Sequence, residues 1–276
     1  MPNVEMFELK TKEYYAVDYV LCKTKDAYDR VTKWYEDFGN PRNTTVLFVE
    51  HTSSDPSTSA KSYAQSHPEF TIRPKNFDKT TFFHANGHSA QKSTTSILQC
   101  WKERPDLPLI DIYSMHNGTR DAYDEIFKET GTPSNLRFHF GHDVDGPDFG
   151  RLLLEASTII CPSKMEGFGH YINQARAAGA LVMTTNGSPM NEFIAPDAGI
   201  LIDAAPFEPN QDQMLSIYGS MEWYVDATGI CNAVDKVLAM TPNERTSHGK
   251  NCRRLYERQF VNFEANMRRL RALFVY

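Results

Sequence analysis

The spacing of apolar and polar positions changes period along the chain. Tyr19-Val-Leu-Cys22 and Val46-Leu-Phe-Val49 are short, uniformly apolar runs, which predicts two buried strands. Between them, Tyr28, Val31, Trp34 and Tyr35 fall at helical spacing from Ala27 to Phe38, and Gly39 closes the helix. Together they make one β-α-β unit. The stretch His51-Thr-Ser-Ser-Asp-Pro-Ser-Thr-Ser-Ala60 is polar and turn-rich. It reads as a loop or linker, either plain or substrate-contacting.

From about residue 80 the rhythm is regular. Strands are expected at 80–84, 109–113, 136–140, 158–161, 180–184 and 199–202. Helices are expected at about 90–103, 119–130, 147–156, 169–179 and 188–195. Strands that are apolar throughout and alternate with helices predict a parallel sheet covered on both faces. Right-handed crossovers then make the fold class α/β, a doubly wound, Rossmann-type domain. A helix over 226–240 follows, and Thr241-Pro-Asn-Glu244 is a capping box with proline at the first helical position. Phe260, Phe263, Met267, Leu270 and Phe274 step by 3, 4, 3 and 4, which predicts a buried stripe packed against the body. The expected division is a reduced α/β region over 1–78, the Rossmann-like domain over 79–240, and C-terminal helices over 241–276.

Composition narrows the classes. The chain has 276 residues, 41% of them hydrophobic, enough for one large or two modest α/β domains. A net charge of -6 argues against a general nucleic-acid binder, so an anionic ligand must be held by local positive groups. Five cysteines without a CxxC pair argue against a zinc ribbon and read as reduced, buried thiols of a cytosolic protein. The first residues, MPNVEMFELK, are too charged for a signal sequence. No apolar run approaches the roughly 20 residues needed to span a bilayer. A soluble cytoplasmic protein is expected, with peripheral membrane contact left open.

Three loops carry candidate chemistry. In Cys161-Pro-Ser-Lys-Met-Glu-Gly-Phe-Gly-His170 an apolar strand ends, Gly167 and Gly169 flank Phe168, and a helix starts near His170. Glycines let the backbone approach an anion, and a helix N-terminus offers free N–H groups with a partial positive charge. Glu166 in that loop suits sugar hydroxyls better than phosphate. A plain turn with a helix cap is the blander alternative. In Ala85-Asn-Gly-His-Ser-Ala-Gln-Lys92, Lys92 is expected in the first turn of the helix, within reach of a diphosphate, although a solvated lysine would fit as well. In Thr185-Asn-Gly-Ser-Pro-Met-Asn-Glu192, Ser188 is expected to cap a helix with Pro189 at its first position. His84, His142 and His170 fall at strand ends and are expected to line the pocket. His139 alternates within a strand and reads as structural. Asp143-Val-Asp145 has the form of a metal-holding DxD motif, but it follows a strand away from the phosphate loops. No bound metal is expected.

The segments Glu166-Gly-Phe-Gly, Gly179-Ala-Leu-Val-Met-Thr-Thr185 and Pro189-Met-Asn-Glu192 resemble the donor-binding half of GT-B glycosyltransferases, especially retaining family 4. Phe83-His-Ala-Asn-Gly87-His-Ser-Ala-Gln-Lys92 resembles that family's first strand and lysine turn. Asn135-Leu-Arg-Phe-His-Phe-Gly141-His142 resembles its base-cradling strand. The resemblance covers roughly residues 80–240. A narrower resemblance is to short glycosyltransferases encoded by large DNA viruses of algae. The family likeness implies a GT-B fold, a UDP- or GDP-sugar donor, and a glycan or other hydroxyl acceptor. It implies that Lys92 neutralises the diphosphate, assisted by His88 or Ser89 beside Gly87, and that Glu166 contacts the transferred hexose or pentose. It implies that Gly167, Phe168 and Gly169 meet sugar and phosphate through their N–H groups, while Gly141 and His142 sit near the base. The family's ribose-binding glutamate corresponds here to Gln174, an amide without charge-assisted strength. Only about 80 residues precede the donor domain, so a reduced acceptor half, or a dimer mate or partner chain completing it, is expected. Retention is implied; a base such as His51, Asp55 or Glu50 would instead give inversion. A catalytically degenerate nucleotide-sugar-binding subunit is the alternative to an active transferase.

Overall fold

The computed structural model describes residues 12–207 and 222–274. Its N-terminal unit is β1 (Tyr19–Cys22), α1 (Lys25–Phe38) and β2 (Thr45–Phe48), with the two strands parallel and Val20 beside Val46. Thr24 caps α1, and Ala27, Val31, Trp34 and Tyr35 turn inward onto Val20 and Cys22. The expected β-α-β unit is therefore present.

The next element corrects the sequence reading. Residues 56–66 form a helix, α2 (Pro56–Ser66), whose first part, up to Ala60, falls where a loop or linker was expected. Its start signal is Asp55, whose carboxylate accepts from Ser57 N at 3.0 Å, with Pro56 at the first position. Its buried face is Ser57 and Ala60, residues too small and polar to register as an apolar stripe.

A six-stranded parallel sheet follows. Its strands are β3 (Phe82–Gly87), β4 (Ile110–Ser114), β5 (Leu136–Phe140), β6 (Thr158–Cys161), β7 (Leu181–Thr185) and β8 (Ile200–Ile202). They lie in the order β5-β4-β3-β6-β7-β8. The covering helices are α3 (Thr94–Glu103), α4 (Asn117–Phe127), α5 (Gly146–Glu155), α6 (His170–Ala177) and α7 (Ala227–Ala239). Alternate strand residues feed two cores. Phe82, Ile160, Leu181 and Met183 pack on α3 and α7. Phe83, Ile159 and Val182 pack on α5 and α6. Burial on both faces explains why β6 and β7 read as continuous apolar runs. The short strands β9 (Ala205–Phe207) and β10 (Glu222–Tyr224) pair antiparallel.

The cysteine expectation is corrected in part. Cys100 of α3 and Cys231 of α7 form a disulfide, 131 residues apart in sequence, with Cα atoms 5.7 Å apart. The helices lie side by side on the sheet, a proximity that sequence spacing does not reveal. Cys22, Cys161 and Cys252 are buried thiols outside that disulfide, as expected.

The chain closes with α8 (Pro242–Ala272), begun by the expected capping box of Thr241 and Glu244. The stripe on α8 is less buried than its spacing implies, with Phe260 41% and Phe274 58% exposed. The helix starts on the six-stranded domain and ends on the N-terminal unit, where Tyr19 meets Phe274 at 5.4 Å. Over that span it makes polar contacts instead: Tyr256 OH donates to Ser53 O at 2.7 Å, Gln259 to His51 O, Asn262 to Glu50, and Asn266 to Val49 O at 3.3 Å. Among the described residues no helix is long and apolar enough to cross a membrane.

Candidate functional site

The sheet order fixes where a site forms. From β3 the chain builds outward through β4 and β5, then returns to place β6 on the other side of β3. The crevice at the carboxyl ends of β3 and β6 is the topological switch point, where open α/β sheets bind ligands. Lys92 follows β3 and Glu166 follows β6, so the fold carries both to one crevice.

Lys92 lies on a single 3-10 turn (Ala90–Lys92), not inside the following helix as expected. Ser89 caps that turn through Gln91 N at 3.2 Å, and Ser93 takes a left-handed conformation before α3 begins. The kink aims Lys92 across the crevice. Its ammonium forms an ion pair with Glu166 and sits 3.3 Å from Ser163 Oγ. It also lies 3.9 Å from the centre of the Tyr171 ring. Ser163 Oγ donates to Glu166 at 2.5 Å and meets Tyr171 OH at 2.7 Å. Burial pushes the Tyr171 phenol well up, so it stays protonated. Ser163 and Tyr171 were not singled out from sequence, although both lie in or beside the glycine loop.

The loop is braced by its neighbours. Lys164 N donates to Gln91 O at 2.8 Å, and Thr185 Oγ1 to Ser163 O at 2.6 Å. Gly167 and Phe168 are buried. Gly169 has φ +81, a conformation that favours glycine, and no side chain caps the first turn of α6. The half-buried Gln174 lies on α6 beyond His170.

The N-terminal unit faces this loop. His51 packs on Phe168 with ring centroids 4.7 Å apart, and on His170 at 5.9 Å. Ser53 Oγ meets His170 Nδ1 at 2.9 Å. Burial, then the charges of His170 and Lys23, lower the His51 pKa to about 4, so its ring is neutral near pH 7. Its Nδ1 is buried without a hydrogen-bond partner among the described residues. Glu192 ties the two units together. It accepts from Lys25 N at 2.7 Å and Asp26 N at 2.8 Å, closing the start of α1.

Other sequence candidates lie elsewhere. His84 is fully buried in β3, bonded to Ile160 O at 2.8 Å and Thr94 Oγ1 at 2.9 Å. It is a core residue and not a pocket residue, because it lies within β3 instead of past its end. Gly87, at φ +53, ends β3, and His88 beside it is exposed. Gly141, at φ +72, and exposed His142 follow β5 at the sheet edge, two strands from β3. Asp145 of the DxD stretch caps α5 through Asp148 N at 2.8 Å. The helix expected over 188–195 is a short 3-10 turn (Met190–Phe193), and Pro189, not Ser188, takes the capping position. Glu192 is the residue that gives this turn a contact with α1.

No family model and no curated protein matches the sequence. Solved structures do match. A glycosyltransferase from Rickettsia africae ESF-5 is 12% identical, with TM-score 0.64, over 95% of this chain and 67% of that one. Sucrose-phosphate synthase from Thermosynechococcus elongatus is 15% identical, with TM-score 0.64, over 95% and 58%. Anabaena Alr3699/HepE in complex with UDP and glucose is 13% identical, with TM-score 0.58, over 93% and 63%. The chain thus spans between 58% and 67% of the length of these three structures. At these identities the likeness establishes architecture, and the architecture is that of the GT-B glycosyltransferases.

Proposed function

We propose that the protein is a glycosyltransferase that moves a sugar from a nucleotide-diphosphate donor to a hydroxyl acceptor. The observation that carries this is the Lys92–Glu166–Ser163–Tyr171 cluster at the switch-point crevice, facing His51 from the opposite unit. A diphosphate leaving group needs preorganised positive charge, and a sugar needs a hydrogen-bonding carboxylate. Lys92 and the uncapped start of α6 would supply the first without a metal ion. Glu166 would supply the second. Without donor these two neutralise each other, so donor binding would replace their ion pair with contacts to phosphate and hydroxyls. The Anabaena structure with UDP and glucose favours a UDP-sugar over a GDP-sugar.

The stereochemical outcome depends on His51. Neutral and facing the glycine loop, it is a base candidate for inversion, whereas the family resemblance implies retention. NMR of the product's anomeric centre decides between them. Gln174 in place of a ribose-binding carboxylate favours a second reading, a binding subunit without turnover. A panel of nucleotide sugars, read by thermal midpoint and by transfer to simple glycosides, tests both, since a ligand of the folded state raises the midpoint. A midpoint shift without transfer supports the binding subunit. No shift with any donor sinks both readings.

A further inference from the structure

A second charged pocket lies between the two units, bordered by Lys23, Glu50, Arg176, Glu192, Arg258 and Gln259. Its volume is about 180 Å³, room for several waters at roughly 30 Å³ each. Arg176 is 3% exposed, and its Nε is buried without a partner among the described residues. Its Nη1 bonds only neutral amides, Asn173 at 2.5 Å and Gln259 at 2.7 Å. Buried charges are normally paired, because an uncompensated one bears the full loss of hydration. No described carboxylate pairs with Arg176, and burial, with a smaller like-charge contribution from Arg258, lowers its pKa to about 10. The two acids bordering the pocket are engaged elsewhere: Glu192 with the start of α1, and Glu50 with Asn262 at 2.9 Å.

We propose that this pocket binds a small oxyanion, a phosphate or carboxylate group, held by Arg176 and Arg258. The missing counter-charge of a buried guanidinium defines the ligand's chemistry, since planar forked donors suit oxyanions. The pocket communicates with the crevice through Gln259, which accepts from Arg176 and donates to the carbonyl of His51. Occupancy fixes the orientation of Arg176, and through Gln259 the main chain that carries His51. The oxyanion has two sources, a charged group on the acceptor or a free ion. Only the acceptor source rests on the proposed function.

Inorganic phosphate is the probe, titrated at constant ionic strength against chloride, with the binding isotherm and thermal midpoint as readouts. Saturable binding is expected in the unmodified protein. Arg258→Gln, at an exposed position, is expected to weaken it at least ten-fold, as is Arg176→Gln where that variant folds. Lys92→Met is expected to leave it unchanged, which separates this pocket from a donor diphosphate site. No saturable binding beyond chloride, or binding kept in Arg258→Gln and lost in Lys92→Met, overturns the proposal. A transfer assay then assigns the source. If the acceptor carries the group, phosphate competes with a phosphorylated glycoside, and Arg258→Gln raises only that acceptor's KM. If the ion is free, phosphate changes kcat with a neutral glycoside. Phosphate binding through Arg258 in a protein that transfers nothing removes the proposed function and leaves the pocket standing.

Discussion

Lys92 and Glu166 form an ion pair across the crevice between β3 and β6, with side chains only 15% and 11% exposed. Each neutralises the other where water has largely been removed. Deleting one partner of such a pair leaves a buried charge, at a cost of about 3–5 kcal/mol, whereas replacing both is often tolerated.

Lys92→Met and Glu166→Gln are each expected to lower the thermal midpoint, and the double variant to recover most of that loss. Transfer is expected to fall at least 100-fold in all three, the scale on which a single preorganised electrostatic donor acts. Recovered activity in the double variant would remove the pair from the reaction.

The pH profile is expected to report His51. Its pKa of about 4, set first by burial, places the acid limb of kcat/KM near pH 4 and not near 6.5 if His51 is the base. A limb at 6.5 that vanishes in His51→Gln would show an exposed, ordinary histidine and contradict the packing against Phe168.

His84 makes a stability prediction of the same sign. Burial lowers its pKa to about 4. Between pH 6.5 and 4 the unfolded chain binds more protons than the native one, so stability falls as pH falls through that window. The effect is on the order of 3 kcal/mol for this fully buried ring. His84→Gln should flatten the acid limb of the unfolding midpoint; an unchanged limb would assign it to other groups.

Glu192→Ala removes the acceptor for Lys25 N and Asp26 N. The expected loss is about 1 kcal/mol, the scale of a helix N-cap. Hydrogen exchange should accelerate in the first turn of α1 and stay unchanged in β6 and β7. Equal exchange in α1 would mean that Glu192 does not hold the two units together in solution.

Gly150 tests the helix that sequence patterning missed. A Cβ there would lie 2.2 Å from Pro56 O and 2.9 Å from Ala60 Cβ, so Gly150→Ala must push α2 off α5. Overpacking of this kind costs typically about 1–3 kcal/mol. A midpoint matching the unmodified protein would show that α2 is not packed there.

The centre of the sheet was legible because β6 and β7 are buried on both faces, which leaves an apolar run such as Thr158–Cys161; the edge strand Leu136–Phe140 alternates instead, and both lie at their expected bounds. The glycine loop and Lys92 were legible as a local pattern, glycines and a cation just past strand ends, that depends on no distant neighbour. What escaped depended on neighbours distant in sequence. The α2 segment reads as polar because Ser57 and Ala60 suffice to fill its narrow contact with α5, although Asp55 and Pro56 carried a start signal. Ser163 and Tyr171 gain their roles only from Lys92, brought in by β3. Arg176 looks like an ordinary helix-end cation until Gln259 of α8 buries it.

The seam along α8 has a mechanical consequence. Tyr256, Gln259, Asn262 and Asn266 step along one helix face and bond residues 49–53 in order. Hydrogen bonds of this kind exchange for bonds to water at a net cost of only about 1 kcal/mol each. They are nonetheless directional, and each side chain reaches a different residue, so together they fix how residues 49–53 lie along α8. A joint built this way is held by direction more than by apolar area, and it sets the place of His51 over Phe168.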